Sequence, residues 1–144
     1  MADAFNLRRF VLAQDPDYDS IVGELRAGRK RGHWIWYVFP QVRGLGGSAM
    51  SRKYAISGAE EARAYAEHRV LGPRLSECTE IVLGLEGRTA QEIFPHPDDL
   101  KFRSSMTLFE RCAPDPEPFR AALAKYFAGK GDPLTLESLE KSKR

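Results

Sequence analysis

Apolar residues recur along most of this chain at spacings of three and four. Leu7, Phe10 and Val11 fall at i, i+3 and i+4, so residues 6–13 read as a short helix with Asn6 as its cap. Tyr18, Ile21, Val22 and Leu25 form a second stripe, and Gly28 is placed to stop it. Ser57 stands as cap before the alanine-rich run that His68 closes. Pro73 suits the first turn of the next helix, whose face is Leu75, Cys78, Thr79, Val82 and Leu83 and whose end is Gly87. Thr89 to Glu92 has the form of a capping box. Asp98 is expected to cap a longer helix to about Cys112, with Phe102, Met106 and Phe109 inward. Phe119, Leu123, Tyr126 and Phe127 give another stripe, closed by Gly129, and Thr135 caps a last short helix before a charged tail from about residue 140.

One segment breaks this rhythm. The run His33-Trp34-Ile35-Trp36-Tyr37-Val38-Phe39 is nearly continuous in bulk and apolarity. Its residue types suit a buried strand, its length equally suits a short buried helix, and period alone does not decide between them. Pro40 ends it, and Gly44, Gly46 and Gly47 form a loop. No series of strand patterns appears elsewhere. The expectation is an all-α fold: residues 1–144 as one compact domain of seven or eight short helices around a central aromatic segment.

Composition changes this picture little. With 144 residues, 42% of them hydrophobic and 29% charged, the chain is long enough for a real core without staples. Cys78 and Cys112 are far apart and match no metal or redox spacing, so a reducing, cytoplasmic setting is expected. No apolar run has the length of a membrane span. No cofactor motif and no metal-ligand spacing is present: the three histidines are His33, His68 and His96, with nothing in their spacing to suggest a site.

Charge is more informative in its distribution than in its sum. The formal net charge is +2, yet Leu25 to Ala59 contains no Asp or Glu and seven Lys or Arg residues. Such a window suggests an anion-accepting surface. Within it, Arg31 and Arg52 suit phosphate, Trp36 suits a planar ring, and Gln41 and Tyr54 suit a polar substituent. Ser48 and Ser51 follow the glycine loop, which matches neither the dinucleotide nor the P-loop fingerprint but offers backbone N–H groups and hydroxyls. His33 is the first candidate for proton transfer, with Asp98 or Asp99 behind it. A second element is the helix from Asp98 to Thr107. It sets Lys101 and Ser105 on one face, pairs Asp99 with Arg103 at i, i+4, and carries Ser104 and Ser105 at mid-helix, where propensity disfavours them.

The blocks LRRFVLAQ, ELRAGRKRGHWIWYVFPQVRGLGGS, SRKYAIS, LGPRLSEC, PDDLKFRSSMTLF and KYFAGKGDPLTLE resemble a bacterial family of proteins of unknown function, number 1810 in that series. The resemblance runs from about Leu7 to Leu139 and implies an all-helical single domain with no established activity. Some members carry the label calpastatin; inhibition of that kind rests on disordered repeats, and this chain is patterned and unrepeated. The residues favour a small phosphorylated or nucleotide-like ligand in a basic and aromatic pocket, with hydrolysis an open addition. A protein-interaction or regulatory domain is the alternative. A single-stranded nucleic-acid module comes last, because the second half of the chain is slightly acidic.

Overall fold

A computed structural model describes residues 3–141. Among these there are ten helices: α1 (Arg8–Gln14), α2 (Tyr18–Arg26), α3 (Ile35–Val38), α4 (Ala49–Lys53), α5 (Ala59–Glu67), α6 (Leu71–Leu83), α7 (Ala90–Ile93), α8 (Asp98–Cys112), α9 (Glu117–Phe127) and α10 (Pro133–Lys141). The all-α, single-domain expectation holds. The count exceeds seven or eight because the aromatic run and the segment after the glycine loop each form a single-turn helix, α3 and α4. The charged tail beyond Lys141 lies outside the described residues.

The aromatic run is helical. Trp34, Ile35, Tyr37, Val38 and Phe39 are buried, and Trp36 is the one member of the turn left partly exposed. Phe39 stands edge-on to Phe94 and to Phe102, with ring centroids 5.8 and 4.9 Å away, while Phe94 and Phe102 stack at 4.4 Å. Such pairs add about 0.5–1.5 kcal/mol each to the burial of their surface. This cluster joins the aromatic turn to α7 and α8. The α8 helix is the hub of the fold, packed by α3, α5, α7, α9 and α10. It can be so because Phe102 and the whole run Ser104–Phe109 are buried.

Helix starts follow hydrogen-bond supply rather than the nearest cap-forming residue. Asn6 does not cap α1; it takes a positive φ of 53°, and the Asp3 carboxylate accepts from the N–H groups of Leu7 and Arg8 instead. Gly58, not Ser57, precedes α5, and the Ser57 N–H donates to Glu61. Asp98 is the first residue of α8 rather than its cap, since its carboxylate is drawn to lysines. At α10 the cap role falls to Asp132, which accepts from both the N–H and the hydroxyl of Thr135. Helix α6 ends at Leu83, with Gly84 as its cap, short of Gly87. The capping box at Thr89 and Glu92 forms as the sequence reads, and His68 closes α5 as expected.

Two polar devices hold the segment that carries the glycine loop. A parallel bridge between Val42 and Ile56 closes the base of that excursion, with Ile56 N–H donating to Gln41 and Arg43 N–H to Ile56. Arg9 pins it from the other side. Its guanidinium donates to the carbonyls of Phe5, Asn6, Lys53 and Ala55 and to the Glu61 carboxylate at 2.9 Å. The Glu61 side chain is only 4% exposed, so this charge depends on Arg9. Removing one partner of a buried pair costs about 3–5 kcal/mol, against under about 1 kcal/mol for an exposed pair. Arg9→Ala is therefore expected to lower unfolding stability by about 3 kcal/mol in urea titrations. Arg63→Ala, which breaks the exposed Arg63–Glu67 pair, should change it by less than about 0.5 kcal/mol.

Candidate functional site

The two segments singled out in the sequence meet. A cavity of about 480 Å³ opens between the glycine loop and the first turns of α8 and α10. The loop side supplies Gly46, Gly47, Ser48 and Ser51, the aromatic turn supplies Trp36, and Gln41 comes from the segment just after Pro40. Pro97, Lys101 and Ser104 come from α8 and its approach, Asp132 from the α10 cap. Leu45, Leu100 and Leu134 line it with apolar surface; Leu100 is 50% and Leu134 61% exposed. Behind this cavity lies a recess of about 10 Å³ that shares Trp36, Gln41, Leu45, Gly46 and Ser51 with it and adds Val42, Gly44 and Tyr54.

Local chemistry explains the loop. Gly44 has φ 98°, a region in which other residues are strained. At Gly46 a side chain would collide with Ser51, so that glycine lets the loop fold back on α4. The Ser48 hydroxyl accepts from the Ser51 N–H and lies 2.8 Å from the Ser51 hydroxyl. Arg52 donates to the Gly47 carbonyl.

The electrostatics are milder than a basic window suggests. Lys101 is the cation of the cavity. Its ammonium sits over the Trp36 ring, 5.8 Å from the centroid, and 3.3 Å from the Asp98 carboxylate. Asp98 is shared with Lys30 at 2.6 Å, and Lys30 is itself buried at 7% exposure. It lies over the Trp34 ring at 5.2 Å. Asp132 also lines the cavity, so the lining carries one charge of each sign. The indole Nε1–H of Trp36 is buried with no hydrogen-bond partner among the described residues, a state that costs about 1–3 kcal/mol unless an acceptor arrives.

The candidates divide cleanly. Trp36, Gln41, Ser48, Ser51, Lys101 and Ser104 line the cavity, and Tyr54 lines the recess. Ser104 also bonds Thr135 at 2.9 Å, so close packing of α10 on α8 accounts for one of the paired serines. Ser105 is fully buried and lines neither space. Arg103 does not pair with Asp99: it donates to the carbonyls of Lys130 and Gly131, and Asp99 holds His96 at 2.9 Å. His33 and Arg31 are exposed away from the cavity lining; the Arg31 backbone N–H, not its guanidinium, is engaged, by Glu24. Asp132 and Leu134 were not among the sequence candidates. The only trace of Asp132 is its place three residues before Thr135, a capping spacing.

A second cavity, about 520 Å³, lies between Phe5, the start of α5, the end of α8 and α10. Its lining carries Glu60, Glu61 and Glu140 against Arg111, the wrong balance for an anion.

The fold and the Trp36–Lys101 cavity define a small all-helical domain with a mixed polar and apolar surface site. The chain belongs to the family described as protein of unknown function DUF1810, whose profile matches residues 4–139. It is similar to the conserved hypothetical protein Rv1873 of Mycobacterium tuberculosis, solved by crystallography, at 56% identity and a TM-score of 0.94, covering 96% of this chain and 99% of that one. The comparison with curated proteins returns no match.

Glu24 orders the approach to the aromatic turn. Burial pushes its carboxyl up. Hydrogen bonds from Gly32 N–H, Arg31 N–H and Trp34 Nε1–H, together with the nearby Lys30 charge, outweigh that and hold it below its ordinary value of 4.5. Its contribution is thus present above pH 4.5 and lost as pH falls through the lower folded value. Glu24→Gln should cost about 1–2 kcal/mol near neutral pH, and the gap to wild type should close in acid when both are followed by denaturant titration across pH.

Proposed function

We propose that this protein binds a small phosphorylated, nucleotide-like ligand in the Trp36–Lys101 cavity. One observation carries the reading: residues from two distant segments, Trp36 to Ser51 and Pro97 to Ser104, line a single space. At about 480 Å³ it falls within the roughly 300–1,000 Å³ of small-molecule sites. The Lys101 ammonium supplies the charge for a phosphate, and Leu45, Leu100 and Leu134 supply apolar surface for a ring. Binding without turnover is the form favoured here. His33 lies outside the lining, and the cavity's serines have no histidine beside them in it. The nearly balanced charge of the lining suits one anionic group on a larger frame and disfavours a long polyanion such as RNA.

A second reading has its own support. Leu100 and Leu134 are two of the most exposed large apolar residues, and both sit at the cavity rim. A partner protein inserting a side chain there is the interaction-domain alternative.

A thermal-shift screen of nucleoside monophosphates and inorganic phosphate separates these. A ligand stabilises by RT ln(1 + [L]/Kd), about 2.7 kcal/mol at one hundred times Kd. The melting temperature is expected to climb with nucleotide concentration, and Lys101→Ala to weaken the effect about tenfold, since a hydrogen bond to a charged group contributes about 1.5–3 kcal/mol. Unchanged affinity in Lys101→Ala overturns the assignment of this cavity.

A further inference from the structure

The recess behind the cavity has room for about one water-sized atom and no more. A phosphate group, with its four oxygens, does not fit there; a single projecting oxygen does. One wall of the recess is Trp36, whose buried indole Nε1–H has no acceptor among the described residues; Ser105 Oγ is also unpaired but lies away from this recess. Another wall is Gln41, whose carboxamide makes no hydrogen bond among the described residues although its backbone carbonyl holds Ile56. Both residues also line the outer cavity. A carboxamide offers an acceptor and two donors, and an indole offers only a donor. Together they complement a carbonyl oxygen with an N–H beside it.

We infer that the recess is a reading subsite for the lactam edge of a heterocycle, its carbonyl oxygen taken by Trp36 Nε1–H and its adjacent N–H by the Gln41 carboxamide. This rests on the cavity being the ligand site and adds which ligands it selects. An amino-substituted ring, with a ring nitrogen lone pair where the lactam has N–H, presents the opposite pattern and leaves the indole donor unmatched. A site built around a buried donor discriminates against the ligand that fails to satisfy it by about 1–3 kcal/mol, which is tenfold or more in affinity.

Inosine monophosphate and adenosine monophosphate test this, since they differ only at the edge in question. The chain has two tryptophans. Trp34 Nε1–H already donates to Glu24 at 2.9 Å, so its indole resonance is an internal control. In a nitrogen-15 NMR titration of the whole chain, inosine monophosphate should move the backbone amides of Gly46, Gly47 and Lys101 and also the Trp36 indole signal, with the Trp34 indole still. Trp36→Phe assigns the indole signal. Adenosine monophosphate should bind about tenfold more weakly and leave that indole in place. Trp36→Phe should erase the preference, and Gln41→Ala should only reduce it, with the Trp36 indole signal still moving on inosine monophosphate addition. If both nucleotides move the cavity amides with equal affinity and the Trp36 indole stays put, the recess inference is overturned and the cavity reading stands. If neither moves a cavity amide, both are overturned.

Discussion

A lysine ammonium withdrawn from water must be paired, and Lys30 is the point at which this fold meets that demand. Its partner Asp98 is the first residue of α8, sixty-eight positions later, and the two approach to 2.6 Å. The Lys30 backbone N–H donates in addition to the carbonyl of Ile93 at the end of α7. These contacts fasten the loop before the aromatic turn to the entry of the central helix. From there the geometry of the cavity follows. Trp34 packs under Lys30, α3 carries Trp36 outward, and α8 presents Lys101 over the Trp36 ring. Asp98 sits between two ammonium groups, so it holds one wall of the site to the other.

The cavity thus has a helical side and a loop side. Its helical side is α8 and the aromatic cluster of Phe39, Phe94 and Phe102. Its loop side is the segment of residues 43–55, closed at its base by the Val42–Ile56 bridge and braced by Arg9 through the carbonyls of Lys53 and Ala55. A ligand that draws on Lys101 alters a charge already balanced by Asp98. It displaces no buried ion, because Asp98 keeps Lys30 as its counter-charge.

Much of the helical text was legible because periodicity and Pro or Gly punctuation agree: α2, α8 and α9 lie where their apolar stripes put them. The cap residues were less legible. Asn6, Ser57, Asp98 and Thr135 each have the right chemistry for a cap, yet each backbone found another donor or acceptor, from Asp3, Glu61 or Asp132, or the side chain found a lysine. Sequence spacing names who is able to cap; only the packed neighbours decide who does. The same logic removed Arg103 and Asp99 from their expected pair, because α10's approach supplied carbonyls for one and His96 engaged the other.

The sequence by itself determined the all-helical class and the buried aromatic centre, and it singled out two segments that line one cavity in the structure. Those properties rest on local periodicity and on residue chemistry that holds in any context. Tertiary structure decided the charge of that site. Seven basic residues in the window read as seven available cations, but a cation's availability depends on what lies beside it in space. Burial took Lys30, the Gly47 carbonyl took Arg52, and Arg31 stayed outside the lining. Asp132, brought by α10 from the far end of the chain, joined Lys101 in the cavity lining. Chain order does not record that juxtaposition, because Coulomb's law acts across space and not along the sequence.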